Sequence, residues 1–345
     1  MNIHVPKYLL TVIGLFIYCS NNAQSFTNYF IGNDQDIVTT PEGGICMMGG
    51  RSEDDEAMKW FLKRANGGDI LVLRASGSDG YNDYLFSELG VPVNSVESIV
   101  FHDASASNAS YIHDKINKAE AIWFAGGDQW KYVAYWRDSK INELINNAIN
   151  NRNVVVGGTS AGMAILGGAY FSAKNGTITS EEALMNPYHS NITVEDQPFL
   201  DLEVLANVLT DTHYDARKRQ GRHVAFLARH LVDGGNSIKG IACDEYTAIC
   251  IDNDGSAKVF SQKPAGKHNA YFIQVNESLM NNNPEQCIEG QSLKWYRDGK
   301  ALEVYTIPGS PNGNNHFSLT DWKNGNGGKW SYWSVDQGRF MGRPV

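Results

Sequence analysis

Short apolar runs alternate with helical patterns through the first half of the chain. Strand-like runs lie at residues 45–48, 69–74, 96–101, 121–124 and 154–156. Apolar side chains recur at helical spacing between these runs, most clearly at residues 54–66 and 140–150. Alternation of this kind predicts βαβ units, and therefore an α/β fold with a mainly parallel sheet and helices on both faces.

The pattern changes after residue 240. Two apolar stretches, at residues 241–251 and 257–260, flank Asp252-Asn253-Asp254-Gly255, a sequence typical of a β-hairpin turn. Residues 262–345 are rich in Asn, Gly and aromatic side chains and show no helical period. We expect an α/β domain over residues 25–261 and a β-rich extension over residues 262–345, which is either a small appendage or packs on the main sheet.

The first residues are typical of a cleavable signal peptide. Lys7 precedes an uncharged, mostly apolar run at residues 8–18, and small and polar residues follow at 20–25. The run is too short to span a bilayer. We predict a signal peptide at residues 1–24 and a secreted or periplasmic protein. An N-terminal core element and lipidation of Cys19 remain as alternatives.

The charge and the apolar runs of the chain argue against two classes of partner, nucleic acids and membranes. The net charge is −9, from 29 Lys and Arg against 38 Asp and Glu, whereas proteins that bind nucleic acid present clustered positive charge. We therefore expect no nucleic-acid partner, and no further stretch is long enough to cross a membrane. A homodimer is compatible with the sequence, which does not determine oligomeric state.

The cysteines and histidines do not predict a metal centre. Four cysteines follow the predicted signal peptide, at positions 46, 243, 250 and 287, and they form neither a disulfide scaffold nor a Cys-x-x-Cys zinc site. The four cysteines can still form one disulfide bridge or remain as buried thiols. The nine histidines contain no His-x-x-x-His pattern. We expect no metal and no organic cofactor. An incidental Ca²⁺ site among the Asn and Asp residues near the C-terminus remains as an alternative.

The sharpest chemical signal is Gly158-Thr159-Ser160-Ala161-Gly162, which follows a β-branched run and precedes an apolar, small-residue segment. This is the nucleophile-elbow pattern, in which a tight strand-to-helix turn exposes the serine hydroxyl and small neighbours avoid the adjacent strands. The pattern predicts Ser160 as a nucleophile, with a plain glycine-rich turn or an anion-binding helix N-terminus as the alternatives. The N–H of Ala161 would hold an oxyanion.

A second glycine loop, Gly126-Gly127-Asp128-Gln129, follows the preceding predicted strand. Its glycines let backbone N–H groups approach a substrate, so Gly127 can supply the other oxyanion donor. Gln129 can hydrogen-bond a substrate amide or carboxylate. An ordinary turn is the alternative reading of this loop.

The third cluster contains His213, the candidate general base, 53 residues after Ser160 and two residues after Asp211. Three arginines follow, at positions 217, 219 and 222, and arginines this dense either form a solvated face or clamp carboxylates in bidentate fashion. In a chain with net charge −9 we favour the clamp.

These three motifs, in this order, resemble the cyanophycinase and dipeptidase E family of serine peptidases, and the arginine set resembles its cyanophycinase branch. The resemblance covers about residues 43–260. It implies a sheet of the class I glutamine-amidotransferase type, with a flavodoxin-like order, and a Ser–His exopeptidase. Substrate-binding positions then fall at Gln129, Asp211, Thr212, Arg217, Arg219 and Arg222. Thr212 departs from the family pattern, which has glutamine at this position.

The resemblance implies hydrolysis of aspartyl peptide bonds and release of β-Asp-Arg dipeptides from a poly-aspartate polymer with arginine side groups. The free carboxylates of the arginyl branches would pair with the arginines, and Asp211 would face a guanidinium. We expect the triad acid between Ser160 and His213, at Glu181 or Glu182. Two alternatives are an Asp-X dipeptidase and a catalytically silent binding protein on the same fold.

Overall fold

The computed structural model describes residues 24–234, 237–264 and 267–345, so nearly all of the predicted signal peptide lies outside the described residues. The helices are α1 (Asp55–Arg64), α2 (Ser110–Lys118), α3 (Gln129–Trp136), α4 (Lys140–Arg152), α5 (Ala161–Ala164), α6 (Ser180–Met185) and α7 (Gln220–Gly234). The first nine strands are β1 (Phe26–Gly32), β2 (Ile45–Met48), β3 (Asp69–Arg74), β4 (Ser95–Phe101), β5 (Ala121–Phe124), β6 (Val155–Thr159), β7 (Ala169–Phe171), β8 (Val194–Glu195) and β9 (Val208–Asp211). The later strands are β10 (Lys239–Cys243), β11 (Ala248–Ile251), β12 (Ser256–Phe260), β13 (Asn269–Val275), β14 (Leu302–Pro308), β15 (Asn315–Ser318), β16 (Gly325–Asn326), β17 (Lys329–Asp336) and β18 (Arg339–Pro344).

The first sheet has the strand order β1-β4-β3-β5-β6-β2-β11-β12-β15-β16. Its five central strands, β4, β3, β5, β6 and β2, are parallel to one another. The strands on either side pair antiparallel, so the complete sheet is mixed. The predicted α/β fold is confirmed, and its parallel core consists of the strands predicted from the apolar runs.

Helices cover both faces of this parallel core. Side chains alternate across each strand, so the apolar side chains of a strand are buried on both faces of the sheet. Ile70 and Val72 of β3 pack in one apolar cluster with Phe61 of α1. Leu71 and Leu73, on the opposite face, pack in a second cluster with residues from α2, α3 and α4. Asp54 begins α1 as its N-cap, accepting hydrogen bonds from the N–H groups of Glu56 and Ala57.

The second sheet has the order β18-β17-β14-β13-β10-β9-β7-β8, with β7, β9 and β10 parallel. Strands from the C-terminal part join both sheets: β13 pairs with β10 in the second, and β15 pairs with β12 in the first. Phe272 of β13 stacks on Phe317 of β15 in the core that the two sheets share. The residues after 262 therefore pack on the main structure, while the domain boundary at 262 stays a prediction.

The apolar stretch at residues 241–251 is two strands and not one. Residues up to Cys243 form β10 in the second sheet, and residues from Ala248 form β11 in the first sheet. The chain changes sheets at the polar pair Asp244-Glu245. Buried Asp244 fixes this turn by accepting hydrogen bonds from the N–H groups of Asp215 and Asn269, each 2.9 Å long.

The four cysteines are buried free thiols, with the sulfurs of Cys46 and Cys250 3.7 Å apart across β2 and β11. No helix within the described ranges is long and apolar enough to cross a membrane.

Candidate active site

Ser160 lies in the turn between β6 and α5, where the sequence predicts an exposed serine. Its backbone has φ +53° and ψ −112°, a conformation that costs a non-glycine residue on the order of 1–3 kcal/mol. The Ser160 N–H donates to the carbonyl of Met48 at the end of β2, at 3.0 Å. Ser160 is thus held in a strained turn by the neighbouring parallel strand.

The small residues around Ser160 are required by close contacts. A Cβ on Gly162 would lie 2.1 Å from the carbonyl oxygen of Phe124 at the end of β5. A Cβ on Gly158 would lie 2.6 Å from the backbone of Gly162. Any side chain at either position would push α5 away from the sheet and move the Ser160 hydroxyl.

His213 follows β9 and reaches Ser160 from the second sheet. The Oγ of Ser160 and the Nε2 of His213 are 2.7 Å apart. The N–H of His213 donates to the carbonyl of Gly49 at 2.8 Å, and the imidazole ring lies directly against Gly50. The two residues that the sequence predicts as nucleophile and base are therefore in hydrogen-bond contact.

The third member of the array is Glu245, which lies outside the motifs that predict the site. Its Oε1 lies 2.7 Å from the Nδ1 of His213, on the ring edge opposite Ser160. Glu245 follows β10, which is parallel to β9, so the residues after these strands emerge at one edge of the sheet. The chain order of a triad differs among folds, so an acid can also follow its histidine along the chain. The polar pair Asp244-Glu245 inside an apolar stretch was the available signal.

The expected acids Glu181 and Glu182 lie elsewhere. Both are exposed on the first turn of α6. Glu182 completes a capping box with Thr179, accepting its backbone N–H at 2.9 Å and donating its own N–H to the Thr179 hydroxyl at 3.2 Å. Neither carboxylate hydrogen-bonds to His213, which contradicts the prediction of a triad role for these two residues; the carboxylate at the ring is that of Glu245.

Two of the three predicted clamp arginines are engaged inside the protein. Arg222, buried, donates from Nε and Nη2 to the two carboxylate oxygens of buried Asp211, at 2.8 and 2.5 Å. Arg219 donates to the Thr212 carbonyl at 2.8 Å and to its hydroxyl at 3.2 Å, and approaches Asp211 at 3.4 Å. Burial alone would raise the pKa of Asp211, but the two guanidinium groups lower it to about 2. Asp211 therefore faces internal arginines and not a substrate guanidinium.

Arg217 is the member of the set that remains exposed in the cleft with Ser160 and His213. Its guanidinium makes no hydrogen bond or ion pair to the residues that the structure describes. The cleft has a volume of about 1050 Å³ and carries charges of both signs. Its exposed carboxylates belong to Asp55, Asp79, Asp83 and Glu88.

The second glycine loop also lies at Ser160. A Cβ on Gly126 would be 3.6 Å from the Cβ of Ser160, which places this loop beside the hydroxyl. Gly127 follows, and its N–H, like that of Ala161 at the start of α5, has no partner within the described chain. Gln129 lies further back, where its Nε2 donates to the carbonyl of Phe171. Its amide is thus occupied by a structural contact.

The electrostatic environment of His213 favours the neutral form of its imidazole. Its burial disfavours the imidazolium and lowers the pKa of His213, and the nearby Arg217 and Arg219 lower it further. The hydrogen bond to Glu245 acts in the opposite direction but does not cancel these effects. Ser160, His213 and Glu245 thus form an array in which a neutral imidazole can accept a hydroxyl proton while a carboxylate holds its tautomer.

Comparisons with known proteins identify a family and several relatives. The family model for peptidase family S51 matches residues 81–259, more than half of the 345 residues. A cyanophycinase of Trichormus variabilis is 22% identical over 200 residues, which is 58% of this chain and 59% of that protein. A cyanophycinase of Synechococcus elongatus is 24% identical over 256 residues, covering 68% of this chain and 74% of that protein.

The match covers less than two thirds of the length of the T. variabilis cyanophycinase. Among solved structures, a peptidase from an acI-B1 actinobacterium shares 13% identity with this chain and gives a TM-score of 0.47, covering 67% of this chain and 91% of that one.

Replacing Gly50 with alanine should slow the reaction of Ser160 with a fluorophosphonate by about a hundredfold. The new Cβ would lie 2.3 Å from the His213 ring, and a displacement of about 1 Å can reduce a reaction rate that much. The labelling rate is measured by intact-protein mass spectrometry, and circular dichroism checks the fold.

Gly67→Ala is the matched control, because Gly67 also has a positive φ, +81°, but a Cβ there meets nothing within 4 Å. It should label at the wild-type rate. Wild-type labelling of Gly50→Ala would show that this contact does not position the ring.

Proposed function

The chain belongs to peptidase family S51, and from this premise we propose that it is a secreted serine exopeptidase with Ser160 as nucleophile and His213 as general base. The observation that carries the proposal is the hydrogen-bonded array from Ser160 through His213 to Glu245, with both contacts at 2.7 Å. The same array faces an open cleft large enough for a peptide.

In the proposed reaction, Nε2 of His213 takes the Ser160 proton as Oγ attacks the carbonyl carbon of the scissile bond. The resulting oxyanion accepts hydrogen bonds from the N–H groups of Ala161 and Gly127. His213 then gives its proton to the leaving amine. Water, deprotonated by His213, hydrolyses the acyl-enzyme and releases Ser160. Throughout, Glu245 accepts the Nδ1–H and stabilises the imidazolium.

We propose aspartyl peptide bonds as the substrate, with release of β-Asp-Arg dipeptides. The two cyanophycinases among the relatives support this choice. The cleft supports it as well, because Arg217 offers a cation for a substrate carboxylate while exposed carboxylates line the same cleft and suit a guanidinium. In this arrangement Arg219, Arg222 and Asp211 bind one another and Thr212 inside the protein and do not bind the substrate.

Cyanophycin incubated with the mature protein should release β-Asp-Arg, identified by mass spectrometry, and Ser160→Ala should release none. The Ser160→Ala variant removes the nucleophile and leaves the backbone of the turn intact. Turnover of Asp-X dipeptides without polymer cleavage would instead indicate a dipeptidase. Absence of both activities, with Ser160 unreactive towards a fluorophosphonate, would contradict a serine peptidase and favour a silent binding protein.

The acid limb of the pH profile of kcat/KM should have its midpoint below 6.5, the ordinary pKa of histidine. Burial and the neighbouring arginines lower the pKa of His213, so the base stays neutral and active to lower pH. Arg217→Gln removes one of the nearby positive charges and should move the midpoint upward. A wild-type midpoint above 6.5 would contradict this assignment of the base.

Secretion remains a proposal that rests on the apolar run at residues 8–18. Expression in a bacterial host should give an exported protein that has lost about 24 residues, as read from its intact mass. Leu15→Arg places a charge in the apolar run and should leave the full-length protein inside the cell. Export of a protein that still carries Met1 would contradict a cleavable signal.

A further inference from the structure

Arg51 contacts the catalytic array although neither the sequence motifs nor the arginine cluster pointed to it. Its Nε donates to Oε2 of Glu245 at 3.1 Å, while Oε1 of the same carboxylate meets His213. Both oxygens of the acid therefore have a charged or ring N–H partner. In this way the array extends to four side chains, from Ser160 to Arg51.

The backbone directs Arg51 towards Glu245. Arg51 has φ +74°, a left-handed conformation that is unfavourable for a residue with a side chain. Two hydrogen bonds hold the segment in place: the N–H of Tyr246 donates to the Gly50 carbonyl at 3.1 Å, and the Gly49 N–H donates to the Thr247 carbonyl at 3.0 Å. The segment is thus paired with the residues that immediately follow Glu245.

Glu245 needs such a partner because it is not fully buried: 13% of its side chain is exposed. A carboxylate bound on one oxygen only can rotate about its terminal bond and share its charge with water. Burial raises the pKa of Glu245, but the hydrogen bonds from His213 and Arg51 outweigh that effect and lower it. A second charge-assisted hydrogen bond fixes both the orientation and the ionised state of the acid.

We infer that Arg51 is a positioning residue that holds the Glu245 carboxylate against His213 and so maintains the reactivity of Ser160. The inference rests on the proposed serine-peptidase function. The rival role is binding of a substrate carboxylate, because the Arg51 side chain is 64% exposed and lines the same cleft. The two roles differ in what they affect: positioning changes the rate of the chemical step, whereas substrate binding changes the concentration needed for half-saturation.

The test measures inactivation by an uncharged fluorophosphonate, in which Oγ of Ser160 displaces fluoride from phosphorus and His213 takes the hydroxyl proton. Arg51→Met should lower the maximal inactivation rate constant about tenfold, the size typical of residues that orient a functional ligand. The half-saturating probe concentration should not change. Arg51→Lys should recover part of the rate, because it restores a positively charged donor.

A double-mutant cycle with Glu245→Gln shows whether Arg51 acts through Glu245. Once Glu245→Gln has removed the carboxylate, Arg51→Met should slow inactivation less than twofold further. Lys118→Met is the matched control, because Lys118 forms an exposed ion pair with Asp114 on α2, outside the cleft. It should react at the wild-type rate. An ion pair as exposed as that of Arg51 adds little to stability, so the thermal midpoint should stay close to wild type.

Equal slowing by Arg51→Met with and without the Glu245 carboxylate would overturn the inference, and so would a change confined to half-saturation. A reactive wild type with an equally reactive Arg51→Met would overturn it too, while leaving the proposed function standing. If Arg51→Met is misfolded, a fully inactive but folded Arg51→Lys would count against positioning. An unreactive wild type would contradict the proposed function itself.

Discussion

The carboxyl end of β2 sets the distances in the candidate active site. The Met48 carbonyl accepts the Ser160 N–H, and the Gly49 carbonyl accepts the His213 N–H. The Gly50 carbonyl accepts the N–H of Tyr246, and the Arg51 side chain binds Glu245. Four consecutive residues thus contact three chain segments, which reach the site from two different sheets. Because hydrogen bonds weaken steeply when their geometry is distorted, a shift of residues 48–51 would move nucleophile, base and acid together.

This arrangement holds residues in conformations that they would not adopt alone. Arg51, Ser160 and His213 all have positive φ angles, which are unfavourable for residues with side chains. The buried network around them is fully hydrogen-bonded at its charged centre, where Asp211 binds Arg222 in bidentate fashion. Breaking such a buried pair from one side leaves an uncompensated charge, so this support resists rearrangement. The geometry is preorganised before any substrate arrives, which is what electrostatic catalysis requires.

Much of the fold could be predicted from periodicity because its signals are local. The apolar runs predicted the five parallel strands, and helical spacing predicted α1 and α4. The motif at Ser160 could also be recognised from the sequence, because a strained strand-to-helix turn admits only small neighbours such as Gly162. The arginines were a different case. Residue type predicts that an arginine binds carboxylates, but burial decides whether the carboxylate is Asp211 or a substrate, and the chain order of Arg217, Arg219 and Arg222 contains no information about burial.

The sequence by itself determined the α/β class, the turn that presents Ser160 and the pairing of Ser160 with a histidine at position 213. Only the tertiary structure decided which acid completes the array and which arginine supports it. Glu245 is 32 residues from His213 and Arg51 is 194 residues from Glu245. Contacts between residues so far apart in the sequence leave no local pattern. These contacts form because β9 and β10 are parallel neighbours and β11 pairs antiparallel with β2. Glu245 and Arg51 therefore meet at one edge of the two sheets.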